Sequence, residues 1–426
     1  MRKSVKILLT ILLSLVLTLA LAAGGWYWYD THVDRGGWSE SQGIYYYKDF
    51  RGKPVSGWQE IDGNRYYFSP EDCSMATYWQ EVDGKRYYFS GDGTLDTGFW
   101  DIGGRRYYLE PDSGMYTGWL DWEGRRFYFG SDGVMVTSWQ DIDGERYHFR
   151  ENGIMDTGLV RIDGGDYRFL EDGAMYTGWD TLDDTLVYYL PEGARATRWQ
   201  EIDGKLYYFG TDGLMQTGWI SLDGDQYYLQ DDGSAAVGPT EIDGETHYFS
   251  PGGIHVILVN ETHPVPGYYT MELKTVEGWN RVSTVCYSAL VRMIADCRQE
   301  GIELIFNSAY RTVQQQTEIL ELRTKEYENQ GMSFELAYAK ARETVALPGT
   351  SEHHLGLAVD LLGDEAIAWL NEHCWEYGFI VRYRAEKAEI TGIIDEPWHF
   401  RYVGVKVAME LKDSDLCLEE YLGAVE

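Results

Sequence analysis

Residues 199–219 read WQEIDGKLYYFGTDGLMQTGW. Asp203-Gly204 falls between two short β-prone runs, the strongest local signal for a two-residue hairpin turn, and Asp212-Gly213 marks a second turn leading into the next Trp. The pattern recurs along the chain. Tryptophans stand at Trp58, Trp79, Trp119, Trp139, Trp179, Trp199 and Trp219, and turn glycines at 63, 84, 104, 124, 144, 164, 204, 224 and 244, a period near 20 residues. Each period is one structural module. A single hairpin cannot bury its own aromatic face, so residues 37–258 are expected to stack as an all-β hairpin-repeat solenoid. Leu159 and Pro239 stand where Trp is expected and Asp184 replaces a turn glycine, so individual units are degenerate.

The rest of the 426 residues differs in composition, since helix formers replace Tyr, Trp and Gly after about residue 260, and at least two structural units follow. With 69 acidic against 36 basic side chains the formal charge is −33, which opposes nucleic acid and anionic lipid as partners. Met-Arg-Lys-Ser-Val-Lys followed by an uncharged run from Ile7 reads as an export segment. Ala20-Leu21-Ala22 offers a small-x-small cleavage site, whereas continuation of the run to Tyr29 through Trp26, Tyr27 and Trp28 suits a retained membrane anchor with an interfacial belt. Residues 1–29 are therefore a signal peptide or a single N-terminal anchor, and the chain acts outside the cytoplasm, at the cell wall or the outer face of the membrane. Five cysteines with no CxxC pair argue against a disulfide framework and against a cysteine-ligated metal; they read as small buried hydrophobes.

Residues 259–426 form the second domain. Val282 to Glu300 carries apolar residues in mostly helical spacing, IELIFNSAYR reads as a strand, and further helices are expected from Thr312 and from Ser333. Gly356 to Leu362 is an apolar strand interrupted by Asp360, and a buried acid demands a partner. FIVRYR and the segment around DEPWHF complete an α+β layout with helices on a small antiparallel sheet. In SEHHLGLAVD, His353 and Asp360 are seven apart; in DEPWHF, Glu396 and His399 are three apart across a proline. Two imidazoles and one carboxylate make a three-ligand zinc site with an open position, and a non-ligating carboxylate beside it can move the proton that peptide hydrolysis requires.

The hairpin units resemble the choline-binding or cell-wall-binding repeats of Gram-positive surface proteins and the related glucan-binding and toxin repeats. That resemblance implies a wall polymer as partner, a choline-bearing teichoic acid or a polysaccharide, held by the seven tryptophans. The sequence departs from the choline-binding pattern in one place: the residue before the paired Tyr, commonly Trp, is Arg65, Arg86, Arg106, Arg126 and Arg146, then Leu206 or Gln226.

The C-terminal domain resembles the VanY-type D-Ala-D-Ala carboxypeptidases of the zinc peptidase superfamily. Ser351, His353, Gly356, Ala358 and Asp360 fill the pattern SxHxxGxAxD, Glu396 and His399 fill ExxH, and SAYRTVQQQ at 308–316 is similar to the family's S-G-Y-R-S segment. The resemblance implies Zn2+ held by His353, Asp360 and His399, Glu396 as catalytic base, Arg311 binding substrate and stabilising an oxyanion, and Ser351 and Gln316 contacting the peptide. The implied reaction removes terminal D-Ala from peptidoglycan stem peptides. A cross-link endopeptidase, or a wall-binding adhesin with a degenerate peptidase domain, is the alternative.

Overall fold

The computed structural model describes residues 10–22 and 36–425, which divide into two compact units. Residues 10–22 are helical with exposed apolar side chains, and among the described residues no helix is long and apolar enough to cross a membrane. The remainder of the N-terminal run, 1–9 and 23–29, lies outside the described residues, so the choice between cleaved signal and anchor rests on sequence.

The first unit, reaching Thr177 and including 189–194, consists of two-residue hairpins. In one, Gly57–Ile61 pairs with Asn64–Phe68 so that Trp58 faces Tyr67. Asp62 and Gly63 both take positive φ, 51° and 81°, the backbone of a type I′ turn whose twist matches the strands. Trp58 then packs edge-on against its own Tyr67 at 5.2 Å and against Tyr87 of the next hairpin at 4.9 Å. Each module thus covers the aromatic face its predecessor could not bury, and Phe68, Phe89 and Phe129 have no exposed surface. The chain between hairpins stitches them by backbone bonds such as Leu95 N–H to the Arg65 carbonyl at 2.8 Å. Met135 lies against Gly153, where a Cβ would meet its Cε at 2.6 Å, which explains a glycine there beyond its φ of 80°.

The second unit comprises 178–188 and 195–426. Its degenerate turn keeps the same geometry, with Asp183 and Asp184 at φ 47° and 64°. The C-terminal domain contains a hairpin, β1 (Leu273–Glu277) and β2 (Asn280–Ser283), then α1 (Thr284–Gln299), β3 (Ile305–Ser308), α2 (Val313–Asn329), α3 (Phe334–Arg342), β4 (Ala358–Leu362), α4 (Asp364–His373), β5 (Phe379–Tyr383), β6 (Glu396–Tyr402), α5 (Val405–Lys412) and α6 (Leu418–Tyr421). Strand order is β3-β4-β6-β5, antiparallel throughout. Alternation divides the sheet. Val359, Leu361 and Phe400 join Leu290, Met293 and Leu370 of α1 and α4 in one core, leaving Asp360 and His399 on the opposite face. Helix starts follow local capping: Ser283 caps α1, Thr312 forms a capping box with Gln315 at α2, and Ser333 caps α3.

A second core within this unit joins the last repeats to the C-terminal domain. Tyr227, Tyr248, Val256 and Leu258 pack with Val407, Leu411, Leu418 and Leu422, and Lys406 bridges to Asp225 at 2.8 Å. Pro239, in the place of a Trp, pairs with Tyr248 in the final hairpin. All five cysteines are free; Cys286, Cys297, Cys374 and Cys417 are buried, and Cys73 is half-buried at a turn with φ 58°.

Candidate active site

The site is assembled on β4 and β6. Asp360 and His399 are direct register partners, and Asp360 Oδ1 lies 3.2 Å from His399 Nδ1. His353 comes from the 3-10 turn Glu352–Leu355, which precedes β4 and is capped by the Ser351 hydroxyl. Its Nδ1 donates to the Ala309 carbonyl at 2.7 Å, so Nε2 keeps its lone pair and faces Asp360 Oδ2 at 3.4 Å. Candidate ligand atoms of His353, Asp360 and His399 lie within 4.8 Å of one another.

Glu396 and His399 would point to opposite faces of a regular strand. A register irregularity resolves this: opposite Val381 and Tyr383 of β5, which enclose one residue, stand Phe400 and Glu396 of β6, which enclose three. The bulge turns Glu396 toward the metal-ligand candidates, its Oε2 3.8 Å from His399 Nδ1. Burial pushes the Glu396 carboxyl up to about 7, with Asp360 adding to the effect of burial and His399 opposing it.

Arg311, at the end of the β3 segment, donates to Asp360 Oδ2 at 2.5 Å, to the Ser308 hydroxyl at 2.9 Å and to Gln316 Oε1 at 3.2 Å. Gln316 is buried, and its amide nitrogen donates to the Ala346 carbonyl, so its side chain braces Arg311. Arg311, Gln316, Ser351, His353, Asp360, Glu396 and His399 share one cleft with Tyr383 and Trp398. His354 lies outside this set; Nδ1 donates to the Arg311 carbonyl and Nε2 accepts from Gly349.

The sequence reading missed the group behind His399. Glu352 is fully buried, and its Oε2 accepts the His399 Nε2–H at 3.3 Å. Its Oε1 accepts from Arg382 and Arg401, each at 2.8 Å, and Arg382 also pairs with Glu419 of α6. Burial would raise the Glu352 carboxyl, but the two guanidiniums hold it well below the usual carboxylate range. Burial disfavours a charged His399, yet Asp360 and Glu352 lift it to about 9. With Nε2 donating to Glu352, Nδ1 faces Asp360 Oδ1 and the two share one positive charge, a proton on the ring when no metal is held and the metal ion itself when one is. A tetrahedral zinc with bonds near 2.0–2.2 Å has ligand–ligand edges of about 3.3 Å. The 3.2 Å between Asp360 Oδ1 and His399 Nδ1 matches such an edge, and one ligand atom from each of His353, Asp360 and His399 lies within 4.8 Å of the others, so the donor set fits the metal. Charge among Arg382, Arg401, Glu352 and Glu419 was the available sequence signal, but nothing in spacing pairs residues 30 to 49 positions apart.

In the repeats, Trp58, Trp79, Trp119, Trp139, Trp179 and Trp199 each pack between an aromatic of their own hairpin and a Tyr of the next, and Trp219 packs between Tyr228 and His247.

Two imidazoles and an aspartate gathered beside a small antiparallel sheet, with Glu396 next to them, make a donor set suited to one metal ion in a hydrolytic centre. Residues 280–405 match the family model of the VanY D-alanyl-D-alanine carboxypeptidases, residues 55–95 match a choline-binding repeat, and 117–135, 137–155, 197–215 and 217–235 match a cell wall binding repeat. A D-alanyl-D-alanine carboxypeptidase of Enterococcus faecalis is 41% identical over 174 residues, 39% of this chain and 65% of that protein. The bifunctional D-Ala-D-Ala dipeptidase and carboxypeptidase VanXYC of Enterococcus gallinarum is 41% identical over 138 residues, 29% of this chain and 67% of its own. Among solved structures, a vancomycin-resistance D,D-pentapeptidase VanY in complex with Zn(II) is 42% identical, covering 39% of this chain and 97% of that one, with a TM-score of 0.38. The chain belongs to the VanY D-alanyl-D-alanine carboxypeptidase family.

Proposed function

We propose that this protein is an exported zinc carboxypeptidase that removes the terminal D-Ala from peptidoglycan stem peptides while its repeats hold it on the cell wall. The observation that carries the reading is the juxtaposition of His353, Asp360 and His399 with the buried carboxyl of Glu396. Family membership and the repeat matches name the substrate class and the surface.

Zinc in such a donor set supplies Lewis acidity and a water acidic near neutral pH. Glu396, in the base role, takes the proton of the attacking water and returns it to the departing D-Ala amine. Arg311, permanently charged, lies beside Asp360 in the same cleft and is suited to neutralise the developing oxyanion or the substrate carboxylate. Gln316 fixes the Arg311 guanidinium, and Ser351 holds the turn that carries His353. Glu352 fixes the tautomer of His399 so that Nδ1 faces Asp360. Residues 1–29 serve export, as cleaved signal or single anchor, and the enzyme works outside the cytoplasm.

The test is D-Ala release by the full-length protein from L-Ala-D-Glu-L-Lys-D-Ala-D-Ala, with chelator and after zinc is restored. One D-Ala per peptide, lost with chelator and recovered with zinc, is the expected result. Activity only on cross-linked muropeptides would replace the carboxypeptidase with an endopeptidase, and inactivity on both would leave a binding protein.

A further inference from the structure

The arginines of the first unit occupy the place on the aromatic repeats where a cation would be bound. Hairpin register sets Trp58 opposite Tyr67, and Arg65, two residues before Tyr67, lies on the same face as a diagonal neighbour of the Trp. Its guanidinium carbon sits 4.3 Å from the Trp58 ring centre. The placement repeats: Arg86 over Trp79 at 4.6 Å, Arg126 over Trp119 at 4.4 Å, and Arg146 over Trp139 at 4.8 Å. All four lie within the roughly 6 Å range of a cation–π contact. Acids stand beside three of these four guanidiniums. Arg126 faces Asp121 at 3.5 Å, Arg146 faces Asp141 at 4.0 Å, and Arg65 reaches Asp112 at 2.8 Å and the Pro111 carbonyl at 2.6 Å. Arg106 repeats the arrangement over Phe99 at 5.6 Å, with Asp101 3.6 Å away.

These are half-exposed side chains on ring faces that could stabilise any cation, and in each case the chain supplies the cation itself. A tethered guanidinium acts at the high effective concentration of an intramolecular ligand, so a weak external ammonium competes poorly. An aromatic at the same place would instead add a third wall. In the first hairpin Tyr45 holds the register position of Arg65 (opposite Glu40, as Arg65 is opposite Glu60), while Leu206 and Gln226 stand there in later hairpins.

We propose that Arg65, Arg86, Arg126 and Arg146 are built-in occupants that close their four tryptophan seats to quaternary ammonium ligands, so that this block of repeats does not read choline. The inference rests on the wall-binding reading of the repeats and narrows the ligand chemistry of four of them. The partner left to these seats is one that accepts hydrogen bonds from the guanidinium edges and donates hydroxyls to the facing carboxylates, a hydroxyl-rich neutral glycan.

The test is the number of choline sites on the full-length chain, counted by equilibrium dialysis with choline as the probe. One variant carries Arg65→Tyr, Arg86→Tyr, Arg126→Tyr and Arg146→Tyr, which copy Tyr45; a control carries Lys at the same four positions and keeps the charge. The Tyr set should gain about four sites over the unmodified chain, one for each arginine-filled Trp seat, and the Lys set none. An unchanged count in a Tyr set whose near-ultraviolet circular dichroism shows intact aromatic packing would overturn the proposal, as would an equal gain in the Lys set. If the fourfold variant does not fold, Arg126→Tyr alone should gain one site, and the absence of that gain would overturn the proposal equally. Co-sedimentation of the same samples with purified walls reports on the wall-binding reading separately, so either can fail without the other.

Discussion

Glu352 Oε2 and His399 Nε2 are 3.3 Å apart in a part of the domain with almost no solvent access. That single contact assigns the His399 tautomer, turns Nδ1 toward Asp360, and ties the site to Arg382, Arg401 and, through Arg382, to Glu419 on the last helix. Outer carboxylates of this kind orient a ligating imidazole and raise its basicity.

Replacing Glu352 with Gln should therefore weaken metal binding by about 10–100-fold. It should also destabilise the domain by about 3–5 kcal/mol, because two buried guanidiniums lose their shared acid. Zinc competition against a chelator and a thermal melt read the two effects separately; unchanged zinc affinity would show that the contact does not position His399.

Glu396→Gln should keep zinc and lose turnover by about 10²–10⁴-fold, the usual worth of a positioned base. His399→Ala should lose zinc and turnover together. A Glu396→Gln enzyme running at an unimpaired rate would remove Glu396 from the base role.

The pH profile follows from the same residue. A base works deprotonated, and burial holds Glu396 protonated up to about 7. A neighbouring cation can only lower that value, so kcat/KM should fall with acid, its midpoint at or below about 7. The limb should vanish from the residual activity of Glu396→Gln; a limb that persists unchanged belongs to another group.

The core shared by the last repeats and the C-terminal domain predicts where a truncated enzyme fails. Cutting at residue 259 discards Tyr227, Tyr248, Val256 and Leu258 from their contacts with Val407, Leu411, Leu418 and Leu422. A chain beginning at 178 should melt higher than one beginning at 259, and Leu258→Ala in the full chain should cost about 2–5 kcal/mol. Equal melting temperatures would mean the domain folds without the repeats.

Removing residues 37–177 should leave cleavage of soluble pentapeptide intact and reduce co-sedimentation with purified walls, since retention by many weak seats depends on their number. Undiminished retention would assign wall binding elsewhere.

The hairpins, their Asp-Gly turns and the caps of α2 and α3 were legible in the sequence because each depends on residues within a few positions of one another. Their determinants are φ-angle sterics at a turn and side-chain oxygens at a helix start. His353, Asp360, Glu396 and His399 were legible for a related reason: two short segments carry the donor types, and each segment's spacing is nearly rigid. What the sequence left open was every pairing set by sheet order. His399 meets Glu352 across 47 positions only because β6 lies beside β4, and Glu396 shares its face only because β6 bulges against β5. The arginines of the repeats were visible as departures from a pattern, but whether each would swing to solvent or lie on its Trp was decided by the cross-strand register and by acids as far as 47 residues away. Local sterics act through neighbouring bonds and can be read in order along the chain. Burial and charge pairing act through space, and the tertiary fold alone brings those partners within reach.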